Sequence, residues 1–264
     1  MTILDKIVAR KREEILENKA LVSVKDLEQS EFFNRDCYSL KSALTQPDKV
    51  GIIAEFKRRS PSKGILNADA DVVETTKGYV EAGASVLSIL TDVDFFNGSN
   101  ENVIKARRAN QVPILRKDFI VDEYQILEAK SIGADVILLI AACLTPDELK
   151  RLGAFTHSLG MSVLLEVHDK DELLRSINSH IDAIGVNNRN LATFNVDVQT
   201  SFDLAELIPN DFVKVSESAL SEAKTIIDLK KAGFGGFLIG ETFMKTSDPA
   251  KACREFIGEV KGLL

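Results

Sequence analysis

The sequence has few of the residues that build metal centres and disulfide frameworks. Its 264 residues include three cysteines and three histidines, which are Cys37, Cys143, Cys253, His157, His168 and His180. The cysteines are odd in number and far apart, which favours reduced thiols in a cytoplasmic protein over a disulfide framework. No cysteine pair has metal-ligand spacing and the histidines form no HxxxH pair, so we expect no zinc site.

The sequence also has no long apolar segment and no excess of positive charge. The longest apolar run, Val136 to Leu144, is far too short to cross a bilayer, and Met1 to Lys6 lacks the apolar core of a signal peptide. The balance of 40 acidic against 33 basic residues gives a net charge of −7, a poor match to a nucleic-acid binder. We therefore expect a cytoplasmic protein that binds neither a membrane nor a nucleic acid.

Apolar runs and helical segments alternate from residue 50 onward. Eight runs are nearly continuous: Val50 to Lys57, Val86 to Asp92, Val112 to Phe119, Asp135 to Ala142, Met161 to His168, Asp182 to Arg189, Phe212 to Glu217 and Gly236 to Gly240. Amphipathic stretches lie between them, such as Asp71 to Ala82, Asp122 to Ile132, Thr145 to Leu159 and Ser221 to Ala232, followed by the capping glycines Gly83, Gly133, Gly160 and Gly233. This pattern predicts repeated βα units around a buried parallel sheet.

The number of units favours one architecture. Eight consecutive units without a long linker favour a closed α/β barrel, the (β/α)8 or TIM barrel, over a doubly wound open sheet. A dinucleotide-binding fold would place G-x-G-x-x-G after the first strand, where this chain has Arg58 to Gly64 instead. Residues 1–49 have helical spacing in Ile3 to Leu16 and a second short helical piece at Ser39 to Leu44. We predict one domain over residues 1–264, with a helical N-terminal extension (1–49) that packs across an open end of the barrel (50–264).

Charged and amide side chains recur at the ends of the predicted strands. Glu55 and Lys57 are two residues apart in the first strand, so they point to the same face in line with Ile53. Other strands end in Lys117, Glu166, Asn187, Arg189, Glu217 and Ser218. Barrel active sites lie at the carboxyl ends of the strands, so we interpret these side chains as one site. Two lysines and three glutamates in one mouth would shift each other's pKa values toward those of acids and bases near neutral pH.

The end of the eighth strand indicates phosphate binding. This strand runs into Leu238 to Thr242, and loops after the last two strands of such barrels often bind phosphate through backbone N–H groups.

Two rival functions stay open beside proton-transfer catalysis. A Schiff-base sugar-phosphate aldolase would use Lys57 or Lys117 as a desolvated amine nucleophile. A non-catalytic sugar-phosphate-binding barrel would keep the phosphate loops but would not need Lys117 and Glu166 to face each other.

Several segments resemble the motifs of the indole-3-glycerol phosphate synthase family. They are Ile53 to Gly64, Leu115 to Phe119, Leu165 to His168, Gly185 to Leu191 and Leu238 to Met244, and the match runs from the N-terminal helix to the last strand. The resemblance implies a (β/α)8 barrel and a carboxy-lyase of tryptophan biosynthesis. Such an enzyme converts 1-(2-carboxyphenylamino)-1-deoxyribulose 5-phosphate to indole-3-glycerol phosphate with loss of carbon dioxide and water. It implies no metal or organic cofactor, and we expect a monomer or weak homo-oligomer.

The resemblance also implies roles for individual residues. Lys117 would be the general acid that protonates the substrate carbonyl during ring closure, and Glu166 would stabilise the cationic intermediate and take part in dehydration. Glu55, Asn187 and Glu217 would share this catalytic network. The substrate would be held by Lys57 and Arg189 at its carboxylate, by Phe96, Phe119 and Leu138 around its ring, and by Ser60, Ser218, Gly240 and Glu241 at its phosphate.

One position departs from the family pattern. The family usually has Glu-Ser-Gly after the seventh strand, whereas this chain has Glu217-Ser218-Ala219. Glycine would permit a positive φ or a close backbone approach there, and alanine adopts such a conformation at a cost. We therefore expect either weaker phosphate binding or a loop of ordinary conformation. Glu241 is a second anomaly, because a carboxylate repels phosphate unless only its backbone N–H faces the ligand.

Overall fold

A computed structural model describes residues 2–190 and 194–264, so Leu191, the last residue of one family-like motif, lies outside the described residues. The barrel strands are β1 (Ile52–Phe56), β4 (Val86–Leu90), β5 (Ile114–Lys117), β6 (Val136–Ile140), β7 (Ser162–Val167), β8 (Ala183–Asn187), β9 (Val213–Glu217) and β10 (Phe234–Ile239). All eight pair in parallel with their sequence neighbours, and β1 pairs with β10 to close the barrel. The predicted (β/α)8 barrel is therefore confirmed, and the open sheet is excluded.

Helices follow the strands around the outside of the barrel. Their bounds are α1 (Ile3–Leu21), α2 (Val24–Glu28), α3 (Leu40–Leu44), α4 (Val72–Ala82), α5 (Val93–Phe96), α6 (Asn100–Ala109), α7 (Glu123–Ser131), α8 (Pro146–Ser158), α9 (Lys170–Ser176), α10 (Gln199–Ala205), α11 (Ala223–Lys231), α12 (Glu241–Met244) and α13 (Pro249–Leu263), with a 3₁₀ turn at Ala141–Cys143. The four capping glycines all have positive φ, as expected for residues that end a helix. One feature that the pattern did not predict is a short antiparallel pair, β2 (Arg59–Ser60) and β3 (Gly64–Ile65), in the loop after β1.

The strand interiors build two apolar layers. Side chains such as Ile53, Leu115, Leu164 and Val215 fill the inside of the barrel, while the other face of each strand packs against the helices. Because both faces are covered, the strands are apolar along almost their whole length. The charged and amide side chains that face the pocket, such as Glu55, Lys117 and Glu217, lie at the carboxyl ends, which is where the loops begin.

The N-terminal extension contacts both ends of the barrel. The start of α1 lies over the carboxyl-end mouth, where Ile3, Leu4 and Ile7 line a pocket. At the opposite end, Leu40 and Leu44 of α3 are buried in the same apolar cluster as the inward-facing strand residues. The extension thus covers the mouth from one side and closes the base. No helix in the described ranges is long and apolar enough to cross a bilayer.

Candidate active site

All fourteen residues that the sequence assigns to a site line one pocket at the carboxyl ends of the strands. They are Glu55, Lys57, Ser60, Phe96, Lys117, Phe119, Leu138, Glu166, Asn187, Arg189, Glu217, Ser218, Gly240 and Glu241, around a cavity of about 180 Å³. The sheet register explains this convergence, since Ile140 pairs with Glu166 and Asn187 pairs with Glu217 at the same edge. The pocket is therefore built from many strands, each of which contributes its last inward-facing side chains.

Lys117 lies at the centre of the polar part of the pocket. Its Nζ is 2.9 Å from Oε2 of Glu166 and 3.6 Å from Oε2 of Glu217. Burial alone would lower the pKa of Lys117, but the carboxylates of Glu166, Glu217 and Glu55 outweigh burial and raise it above its ordinary value. Lys117 is therefore a cation at neutral pH, as a general acid must be and as the amine nucleophile of an aldolase must not be.

The two carboxylates beside Lys117 differ in protonation. Burial would raise the pKa of Glu166, but Lys117 and then His168 lower it below its ordinary value. For Glu217, burial together with the neighbouring charges of Glu166 and Glu55 outweighs Lys117, and its pKa rises to about 7. Glu166 is accordingly an anion, while Glu217 exchanges a proton near neutral pH.

Glu217 also has an oxygen without a hydrogen bond. Its Oε1 is buried and has no hydrogen-bond partner within the described residues. A side chain at Gly185 of β8 would overlap this atom, so glycine at that position gives the carboxylate its space. A buried acceptor in a pocket without a partner costs free energy in the unliganded protein, and a substrate or a proton satisfies it.

Glu55 and Lys57 face each other as their spacing predicts. Lys57 Nζ is 2.6 Å from Glu55 Oε1, and Oε2 of the same carboxylate accepts a hydrogen bond from Ser88 at 3.4 Å. Gly240 lies directly against this carboxylate, because a Cβ there would come 2.5 Å from Glu55 Oε1. The two motifs that contain Glu55 and Gly240 are thus in direct contact across the β1–β10 seam.

A second group of polar residues lies at the loops after β8, β9 and β10. Asn187 Oδ1 accepts hydrogen bonds from Ser218 Oγ at 2.9 Å and from the backbone N–H of Arg189 at 3.0 Å. The Glu241 carboxylate lies 3.4 Å from Arg189 and 3.6 Å from Lys63. The side chain of Glu241 is therefore already occupied by two cations, which leaves its backbone N–H as the group suited to an anion. Arg189 was expected at the carboxylate end of the substrate. In the structure it contacts Glu241, which was expected at the phosphate end.

The loop after β9 has an unusual backbone. Ser218 and Ala219 both have left-handed conformations, with φ of 66° and 58°. The expectation that alanine leaves this loop in an ordinary conformation is therefore wrong. Non-glycine residues in this region cost about 1 kcal/mol each. The loop thus keeps the shape that glycine favours, although glycine is absent.

An apolar slot forms the remaining wall of the pocket. The rings of Phe96 and Phe119 are 6.1 Å apart between centroids, and both side chains are half-buried beside Leu138. Residues of α1 complete the slot, and sequence reasoning missed this contribution. The spacing in α1 showed an apolar face but not which part of the barrel that face would cover.

Sequence reasoning also missed His168 and Glu172 behind Glu166. His168 Nε2 is 3.3 Å from Glu166 Oε1, and its Nδ1 is 3.1 Å from Glu172 Oε2. The only signal available was that His168 lies two residues after Glu166 and so points to the same face of the chain.

The described residues also lack metal-binding geometry. No group of three His, Cys, Asp or Glu side chains in the described ranges is arranged to hold an ion.

Comparison with known proteins agrees with this geometry. The family model described as indole-3-glycerol phosphate synthase matches residues 4–256. A protein of that name from Bacteroides thetaiotaomicron is 49% identical over 259 residues, covering 98% of this chain and 99% of the relative. One from Polaromonas sp. is 43% identical, with coverage of 97% and 98%. A solved tryptophan synthase structure from Pyrococcus furiosus is similar in fold alone, with a TM-score of 0.59, 15% identity and coverage of 81% and 98%.

Proposed function

The chain belongs to the indole-3-glycerol phosphate synthase family, and on that premise we propose which of its residues carry out each step. The enzyme is a carboxy-lyase of tryptophan biosynthesis that converts 1-(2-carboxyphenylamino)-1-deoxyribulose 5-phosphate to indole-3-glycerol phosphate, carbon dioxide and water. The proposal depends above all on Lys117, a largely buried cation held between two carboxylates of unlike protonation.

Lys117 acts as the general acid of ring closure. As the aryl carbon that bears the carboxylate attacks the substrate ketone, a carbon–carbon bond forms and the Lys117 ammonium gives its proton to the ketone oxygen. The ring then loses carbon dioxide, whose bonding electrons restore the aromatic system. Because the ammonium is already directed into the pocket by Glu166 at 2.9 Å, the proton transfer needs little rearrangement.

Glu166 and Glu217 have different roles in the dehydration step. Glu166 stays ionised and stabilises the positive charge that develops on the substrate nitrogen when the hydroxyl group leaves as water. Glu217, whose pKa of about 7 suits exchange in both directions, gives its proton to the departing hydroxyl group and takes the proton that the carbon beside the nitrogen loses as the ring double bond forms. Glu55 and Asn187 orient the neighbouring groups, since Glu55 holds Lys57 and Asn187 holds Ser218.

The rest of the pocket fits the three parts of the substrate. Phe96, Phe119 and Leu138 enclose its aromatic ring. Lys57 and Arg189, which line the same pocket, supply positive charge for the carboxylate. Ser60, Ser218, Gly240 and Glu241 surround the phosphate, with Glu241 contributing its backbone N–H and not its carboxylate.

The expected setting of the enzyme is also part of the proposal. We expect a cytoplasmic monomer or weak homo-oligomer that takes a free phosphorylated substrate. Its three cysteines have free thiols, in keeping with a reducing compartment. Light scattering at micromolar concentration tests the oligomeric part, and a tight dimer would contradict it.

One assay tests the central proposal directly. The chain contains no tryptophan, so the fluorescence of the indole product appears on a dark background. We expect fluorescence to grow on addition of the substrate, and to fall by about 100-fold or more in rate for Lys117→Ala. Normal turnover by Lys117→Ala would exclude the general-acid role. Borohydride trapping of the substrate on Lys117 would instead support the aldolase mechanism.

A further inference from the structure

His168 lies outside the pocket lining but contacts Glu166, the carboxylate that holds Lys117. The two oxygens of Glu166 contact different cations, with Oε2 at 2.9 Å from Lys117 and Oε1 at 3.3 Å from His168. Glu166 therefore lies between two groups, the proposed general acid on one side and a ring outside the pocket lining on the other.

A second carboxylate fixes the ring from behind. Glu172 Oε2 is 3.1 Å from His168 Nδ1 and accepts the backbone N–H of the same histidine at 2.8 Å. Glu172 lies at the third position of α9, where its backbone N–H donates a hydrogen bond to Oδ1 of the cap residue Asp169 at 2.8 Å. The ring is thus anchored to the start of a helix, while the carboxylate that it holds lies at the end of a strand.

We infer that His168 is a positioning residue of the reaction, whose imidazolium holds the Glu166 carboxylate against Lys117 and balances its charge when Lys117 gives up its proton. Glu172 keeps the ring in place for this task. The inference rests on the roles proposed above for Lys117 and Glu166.

The charges around the ring support a permanent imidazolium. Burial alone would lower the pKa of His168, but Glu166 and Glu172 outweigh burial and raise it to about 10. Cys143 faces the same carboxylates, and burial together with their charges raises its thiol pKa to about 12, so it stays neutral. The other ionisable groups that face this cluster are Lys117, across Glu166, and Glu217, whose pKa His168 helps to lower.

The physical consequence concerns the strength of the acid. While the imidazolium shares the negative charge of Glu166, Lys117 is not the only group that stabilises this carboxylate. Without the imidazolium, Glu166 would hold the ammonium proton of Lys117 more strongly, and Lys117 would become a weaker acid. A change of one unit in that pKa corresponds to at most about tenfold in the rate of proton transfer.

Substitutions that remove the charge but keep a polar side chain of similar reach test the proposal. We expect His168→Gln and Glu172→Gln each to lower kcat by about 3- to 10-fold while KM stays within about twofold, because neither residue lines the pocket. Glu148→Gln is the matched control, since Glu148 occupies the same third position of α8, within a capping box and away from the pocket. An unchanged kcat in both variants, or a rise in KM alone, would overturn the proposal.

The ring can also be observed directly. The chain has three histidines, so the imidazole resonance that disappears in His168→Gln identifies His168 in a nuclear magnetic resonance titration. We expect this ring to remain an imidazolium at pH 8 and to lose its proton at lower pH in Glu172→Gln. A ring that is neutral at pH 8 in the unmodified enzyme would overturn the proposal.

A double substitution separates this inference from the roles on which it rests. If His168 acts through Glu166, adding His168→Gln to a Glu166→Gln enzyme lowers kcat little further. A full additional loss would show that His168 acts by another route, even though the roles of Lys117 and Glu166 stand. Normal activity in Lys117→Ala would instead remove those roles themselves.

Discussion

Two lysines with little solvent exposure lie at the carboxyl end of the barrel, in surroundings that differ. Lys11, Glu14, Asp92 and Asp118 form what we call the saturated cluster. Lys117, Glu166 and Glu217 form what we call the unsaturated cluster. Lys11 of α1 is 1% exposed and lies 2.8 Å from Glu14, 3.0 Å from Asp92 and 3.0 Å from Asp118. Lys117 is 15% exposed, opens on a cavity, and is shared by carboxylates of which one retains a buried oxygen without a hydrogen bond.

The difference is sharpest between the last residue of β5 and the residue that follows it. Lys117 points into the pocket, and the next residue, Asp118, turns to Lys11 and also accepts a hydrogen bond from Thr91 at 2.6 Å. Burial would raise the pKa of Asp118, but Lys11 and Arg116 lower it. Asp118 is thus held in ion pairs that stabilise the fold, whereas Lys117 faces the pocket, where it can give up a proton.

Lys11→Met breaks the saturated cluster and has the largest expected effect on stability. Asp92 loses its cation in a buried site, and loss of one partner from a buried pair costs about 3–5 kcal/mol. The free energy of unfolding in urea measures this loss, with Arg12→Met, an exposed position on the same helix, as the control. Equal stability of the two variants would contradict the distinction between the clusters.

Lys117→Ala breaks the unsaturated cluster and acts on turnover. We expect kcat to fall by about 100-fold or more, equivalent to about 2.7 kcal/mol of transition-state stabilisation, because the proton donor is removed. The stability loss should be smaller than for Lys11→Met, since Glu217 can take up a proton and Glu166 keeps His168. Fluorescence assays and urea unfolding of the same preparation give both numbers, and a reversed ranking would refute the comparison.

Glu217→Gln should change the pH dependence of stability. The folded-state pKa of Glu217 is raised from 4.5 to about 7, so the folded state binds this proton more tightly than the unfolded chain. Stability from this group is therefore present at pH 4.5 and is lost as the pH rises through 7. In Glu217→Gln this decline should disappear, as monitored by melting temperature at several pH values. An identical decline in both proteins would assign it to other groups.

Ala219→Gly has the smallest expected effect. Because Ala219 has a φ of 58°, glycine should relieve about 1 kcal/mol of backbone strain, partly offset by its greater freedom in the unfolded chain. Melting temperature measures the gain, and calorimetry with inorganic phosphate shows whether the loop also binds an anion more tightly. A clear loss of stability would show that the loop is not strained.

The barrel and its pocket could be predicted because both follow from local patterns. The strands are largely apolar and Glu55, Glu166 and Glu217 lie near their carboxyl ends, so the positions of these carboxylates already identify the mouth. The topology then brings these residues together without any further information.

The saturated cluster could not be predicted in the same way. Arg10, Lys11 and Arg12 are consecutive basic residues of one helix, and nothing local shows which of them is buried. In the structure Lys11 is buried, while Arg10 forms an ion pair with Asp94 at the surface. This choice depends on how α1 docks, which is a tertiary property, as is the contact of His168 with Glu166.

The closure of the barrel base by α3 has a consequence for the order of events in folding. Lys41 donates a hydrogen bond to the backbone of Asp211, 170 residues later, and Leu44 packs beside Gly236 in β10. These partners lie at residue 211 and beyond, so the docking surface of this early segment is complete only once the last strands have been added. Contacts of such long range are the slow ones to form. Full burial of α3 is therefore expected when the barrel closes, and not when the barrel begins to form.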